Sequence, residues 1–325
     1  MTESILPRQE NDSSSSIQTW MRRLVWKIAI ATLLLMAVGS ATRVMNAGLA
    51  CPDWPLCYGQ LIPSQQMNLQ VFLEWFHRLD AALIGLSTLA LVGLSLWFRR
   101  SLPNWLPWAA LGSLTLILFQ GVLGGLTVTQ LLRFDIVTAH LGTALIFFAS
   151  LIAIALCLTP RSPNQSTIIS GQLTGIGIVA TILVYAQCLL GGLVGSRWAV
   201  RQCLNVALSE LCNVMNNHLI GVVPATLATV ALVFLTLRSL NLNPIFRKIA
   251  LTAGGLLIIQ ILLGVATLRL HLQVEPLTVT HHLVGASLFG TLIAFSTLAL
   301  RDRKAALRDR LTVPHEQSLL TSNQL

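Results

Sequence analysis

Apolar residues gather into long unbroken runs near 24–45, 77–98, 105–128, 136–158, 169–195, 216–238, 247–268 and 279–300, parted by short polar stretches. A helix rises about 1.5 Å per residue, so about 20 apolar residues cross a hydrocarbon core about 30 Å thick. Lipid offers no water to unpaired peptide groups. Eight runs of this length therefore predict an all-α membrane protein with eight transmembrane helices. The flanks read differently. Residues 1–22 are polar, carry Ser13 to Ser16 in a row and lack the apolar stretch of a signal peptide, and residues 302–325 are charged and then polar. The first is expected to be a disordered tail and the second a tail without chemistry.

Charge orients the bundle. Only 10% of residues are charged against 54% hydrophobic, and the mean hydropathy is +0.73. With the N-terminus inside, fifteen Lys and Arg from Arg8 to Arg310 fall on the inner side, and only Arg133, Arg197, Arg201 and Arg269 lie in outer loops. That positive-inside bias makes both termini cytoplasmic; the expected setting of this multi-pass protein is the cell inner membrane, a bacterial plasma membrane or else an internal one. The same bias against an anionic lipid bilayer explains the net charge of +9 without a nucleic-acid partner.

Repetition is the strongest pattern. On the odd runs Gln120-x3-Gly124, Gln187-x3-Gly191 and Gln260-x3-Gly264 recur, with Gly-x2-Thr at Gly39/Thr42, Gly124/Thr127 and Gly264/Thr267. Small residues and amides of this kind read as helix packing. On the even runs His77, His140, His218 and His282 stand near the outer end, each followed four residues on by Ala81, Ala144, Val222 or Ala286. The separations, 63 and 64 within halves and 141 and 142 between them, divide the chain into tandem four-helix units, 23–160 and 161–301. Four spans per unit make the repeat parallel.

Two inward imidazoles at one depth suit the two axial positions of a haem iron, and a small residue one turn away leaves room for the macrocycle. Zinc or copper would want further ligands, which no Cys or carboxylate supplies in both halves. His77 with His140, and His218 with His282, are the expected metal-binding pairs. His281 adjoins His282 but points about 100° away. Aligning His140-Leu141-x2-Ala144 with His282-Leu283-x2-Ala286 selects His282 and leaves His281 as a hydrogen-bonding or propionate-contacting neighbour. His271 and His315 have no place in the pattern and read as solvent-facing.

Only the first pair has ionisable neighbours. Glu74 and Arg78 flank His77 on one helical face, whereas Val137, Met215 and Val279 take the place of Glu74 elsewhere. The first half therefore reads as the reacting half, and the second as an electron-transfer site in an apolar pocket. Arg43 and Arg78 are candidate propionate partners, Arg43 equally an interfacial anchor. Cys51 with Cys57, and Cys203 with Cys212, lie in outer loops and are expected to form two disulfides; for the first pair a redox or metal role is the competing reading. Cys157 and Cys188, inside apolar runs, read as small core residues. A dihaem cytochrome passing electrons between a quinol and a soluble partner would share this spacing, but has no use for a buried Glu74 beside one site alone. A transporter would show broken helices and midplane charges.

These residues resemble the haem A synthases of bacteria and mitochondria across about 24–300. The likeness rests on Gly39-x2-Thr42-Arg43 leading to Asn46-Ala47-Gly48-Leu49 and Trp54-Pro55, on Glu74-x2-His77-Arg78, on Ala139-His140-Leu141-Gly142 and on His282-x2-Gly285-Ala286. The resemblance implies oxidation of the haem O methyl group to the formyl group of haem A. By its pattern Glu74 is the catalytic carboxylate, His77 and His140 hold the substrate haem, His218 and His282 hold haem b, and Cys51 pairs with Cys57. Leu219 departs from it, standing where members often carry Arg. Haem O synthase as donor, the haem-copper oxidase assembly as recipient and an unidentified electron partner are the implied partners.

Overall fold

The protein is described by a computed structural model over residues 7–160, 169–195, 210–240, 242–270 and 273–322. Its helices are α1 (Pro7–Val44), α2 (Leu69–Trp97), α3 (Leu106–Thr129), α4 (Phe134–Cys157), α5 (Gly171–Val194), α6 (Glu210–Arg238), α7 (Pro244–Arg269) and α8 (Glu275–Ser322). Among the described residues all eight are long and apolar enough to cross a membrane, as the apolar runs predict.

The helices outrun the hydrophobic segments that announced them. Helix α1 already includes the polar residues from Pro7, so the stretch expected to be disordered continues the helix, and α8 likewise runs through the expected tail to Ser322. Extending a formed helix adds one hydrogen bond per residue without a new nucleus, so helicity does not stop where lipid does. Helix α2 starts at Leu69, eight residues before its apolar run, because Asn68 caps it, Oδ1 accepting from Val71 N at 3.0 Å. Ser170 caps α5 through Leu173 N in the same way, at 3.1 Å. At the C-terminal end of α4, Arg301 on α8 donates to the carbonyls of Leu156 and Thr159 and so ties the two helices together.

Helices α1 to α4 touch in cyclic order, and so do α5 to α8. Each ring has its own core. Met21, Leu91, Leu106, Phe147 and Leu151 belong to the first, and Leu173, Leu232, Phe246, Leu292 and Phe295 to the second. The rings meet where α1 and α4 pack on α8 and α4 packs on α5. Helix α8 is accordingly the central one, with 56% of its most apolar window buried against 17% for α7. Outward, Leu86, Trp97, Leu118, Ile220 and Leu262 stand exposed on the bundle surface, as lipid requires. Cys157 is exposed there too, correcting its reading as a core residue, while Cys188 is partly buried.

Candidate functional site

Four histidines share one local construction. A Cβ built on Gly39 would stand 2.8 Å from His77 Cε1; on Gly124, 3.5 Å from His140 Cε1; on Gly191, 3.2 Å from His218 Cε1; on Gly264, 3.0 Å from His281 Cε1. Four residues before each glycine, the backbones of Leu35, Gln120, Gln187 and Gln260 are in hydrogen-bonding contact with the same four rings. Nδ1 of each of these rings is buried and has no hydrogen-bond partner among the described residues. An imidazole leaning on the neighbouring helix with its Nδ1 buried and bare has a ring nitrogen that a metal could take, once the proton sits on the other nitrogen. The Gln-x3-Gly repeats, read from sequence as helix packing, are the walls against which the histidines lean.

His281, not His282, shares this construction. His281 Nε2 lies 3.2 Å from the Gln260 amide nitrogen, while His282 turns to α1, its Nδ1 2.6 Å from Ser40 Oγ. With His281 the spacing becomes 63 residues in both halves, from His77 to His140 and from His218 to His281. The choice of His282 followed the shared leucine after it, but the glycine on the facing helix sets the register, and adjacent residues cannot both reach it. His77 lies within electrostatic reach of His140, and His281 of His218. Among the described residues no three of His, Cys, Asp and Glu converge as a multi-ligand zinc site would need.

The charged residues beside His77 are spent on the loop between α1 and α2. Glu74 is buried; its Oε1 is 2.5 Å from Arg78 Nη2, and its Oε2 accepts from Cys51 N at 2.8 Å. Arg78 donates in turn to the carbonyls of Asp53, Leu56 and Cys51. Cys51 and Cys57 are bonded as expected, with Cα atoms 4.8 Å apart. Asp53 holds the following turn, accepting from Tyr58 N at 2.6 Å and Gly59 N at 2.7 Å; both residues have positive φ, which suits Gly59. The Gly59 N–H above all holds the Asp53 carboxyl below the usual carboxylate range. The Trp54 ring packs against Gly125, leaving about 3.2 Å to the place of a Cβ, beside the Gly124 that faces His140. The loop is thus clasped to α2 beside His77 and to α3 beside the glycine that faces His140.

Arg43 reaches across the molecule, donating to the Gly192 carbonyl of α5. Cys203 and His271 lie outside the described residues, and the side chains of Cys212 and His315 are not described. The second expected disulfide therefore has no described counterpart.

The family of cytochrome oxidase assembly proteins, COX15-CtaA, matches residues 22–293, a span holding all four histidines and the clasp. The chain belongs to the COX15-CtaA family. Its relatives include a Heme A synthase of Shewanella oneidensis, 29% identical, the match covering 86% of this chain and 95% of that protein. Others are Heme A synthases of Erythrobacter litoralis, 25% identical over 82% and 94%, and of Shouchella clausii, 25% identical over 88% and 98%. Within this COX15-CtaA chain, sequence reasoning missed Ser40 as a histidine partner and Cys51 N as a partner of Glu74. Their separations of 242 and 23 residues leave no periodic trace.

Proposed function

We propose that the protein is a haem A synthase, a membrane oxidoreductase that converts the methyl group of haem O to the formyl group of haem A. His77 and His140 hold the substrate haem, and His218 and His281 hold haem b. The supporting observation is the fourfold cradle: four histidines, each with a bare buried Nδ1 against a glycine of the preceding helix, of which only the first has a carboxylate and a guanidinium beside it. When bound, haem b supplies a one-electron redox centre. The chain's own residues do the rest. The histidines fix the substrate's height and orientation, the 51–57 loop covers the first pair from the outer side, and the Glu74–Arg78 pair holds that loop down. Each carboxylate oxygen of Glu74 accepts one hydrogen bond and keeps a second lone pair that can take a proton from the substrate side while the Arg78 and Cys51 bonds hold the loop. Glu74 is in this reading both anchor and base.

The parallel tandem repeat, the cytoplasmic termini and the inner-membrane setting belong to the same proposal, as do a haem O synthase supplying substrate and an oxidase assembly receiving product. Extraction and mass analysis of haems from protein made with and without haem O tests it. Haem b together with haem O or haem A is the expected result; haem b alone under both conditions would move the protein to the dihaem electron carriers.

A further inference from the structure

The residues that follow the cradle positions in sequence build the seams between the two rings. Leu141, after His140, meets Gly192, after Gly191; a Cβ there would stand 2.7 Å from Leu141 Cδ2. His282, after His281, meets Ser40, after Gly39, with Nδ1 2.6 Å from Oγ. The two contacts occupy corresponding positions, one where α4 meets α5 and the other where α8 meets α1. One is a close apolar contact; the other is a directional hydrogen bond. Arg43, one turn from Ser40, binds the Gly192 carbonyl and so ties the polar seam to the apolar one.

We propose that the Ser40–His282 bond is a positioning link that couples the two histidine pairs. His77 leans on Gly39, whose neighbour is Ser40; His282 takes the hydrogen bond, and its neighbour is His281. A displacement of the His77 ring on arrival of substrate therefore reaches the second pair through two peptide steps and one hydrogen bond. Coupling of this kind is reciprocal, so the state of the second pair also biases affinity at the first. The inference rests on the haem reading of both pairs. It makes Ser40 and His282 positioning residues, neither of which touches the reacting carbon.

The test uses the full-length protein carrying haem b, to which haem O is added while the electron paramagnetic resonance g-values and α-band of haem b are recorded. In the native chain haem O is expected to shift the haem b signal. Ser40→Ala should abolish that shift while both haems stay bound, Ser40→Thr should restore it, and Leu141→Ala at the apolar seam should leave it intact. Absence of a shift in the native chain, or its survival in Ser40→Ala, overturns the proposal. Should Ser40→Ala lose haem b, His282→Leu decides instead: its side chain cannot hydrogen-bond Ser40, so a lost shift supports the link and a retained shift overturns it. Failure to bind two haems strikes the haem reading itself, whereas two bound haems without a shift strike only the coupling.

Discussion

Replacing each cradle glycine with alanine separates close packing against a histidine from helix packing in general. The added methyl would meet the ring at 2.8 Å in Gly39→Ala, 3.0 Å in Gly264→Ala, 3.2 Å in Gly191→Ala and 3.5 Å in Gly124→Ala. The last is an ordinary contact, and alanine is better than glycine inside a helix by about 1 kcal/mol, so Gly124→Ala should be neutral or slightly stabilising. At Gly39 the ring must move, and overpacking of this size costs about 1–3 kcal/mol. Because a ring that swings away also loses its register with its partner, that cost should appear as a five- to hundredfold loss of haem affinity, roughly, and less in thermal stability. The assay is haem content and haem dissociation of the purified variants, with thermal unfolding alongside. The expected order of damage is Gly39, Gly264, Gly191, Gly124. Equal damage from Gly124→Ala and Gly39→Ala would refute the steric reasoning.

Ligand identity can be read from paired variants: His281→Ala should remove the bis-histidine spectrum of haem b, and His282→Ala should keep it; the reverse result would restore the ligand expected from sequence. Breaking the buried Glu74–Arg78 pair by Arg78→Gln leaves a carboxylate without its cation, at a cost of about 3–5 kcal/mol. The loop should then become open to reductant and protease near Cys51 and Cys57, while an equally protected loop would show that the clasp does not hold it. Asp53 gives a pH dependence of definite sign. Its carboxyl lies below the usual range chiefly through the Gly59 N–H, so its support of the turn is full at pH above about 3.9 and is lost as pH falls through the lower folded value. Fluorescence of Trp54, taken as the difference from Trp54→Phe, should be flat from neutral pH downward and change only below about pH 4. A transition near neutrality, or an unchanged acid transition in Asp53→Asn, would rule Asp53 out as its cause.

The eight spans were legible because lipid imposes a length and a polarity on every helix, whatever its neighbours. The regular spacing was legible too, 63 residues from His77 to His140 and 63 from His218 to His281. The place of His281 against Gly264 was not legible because neighbouring histidines carry no periodic difference, and that glycine sits on another helix. Glu74 was expected to face the substrate because its helix face could be computed, yet the loop that captures it has no periodicity at all. The ends of α1 and α8 escaped because hydropathy marks the membrane and not the helix.

Helix α8 is also the last of the eight to be synthesised, and its His282 closes on Ser40 in the first. At about 5–20 residues per second, the 242 residues between them take roughly ten to fifty seconds to make. Throughout that interval the face of α1 that carries Ser40 has no permanent occupant, and the first ring stands open along the side that α8 will cover. A chain that stalls before α8 leaves a polar hydroxyl and an unfilled groove within the bilayer, the kind of exposed defect by which membrane quality control can tell an incomplete protein from a finished one.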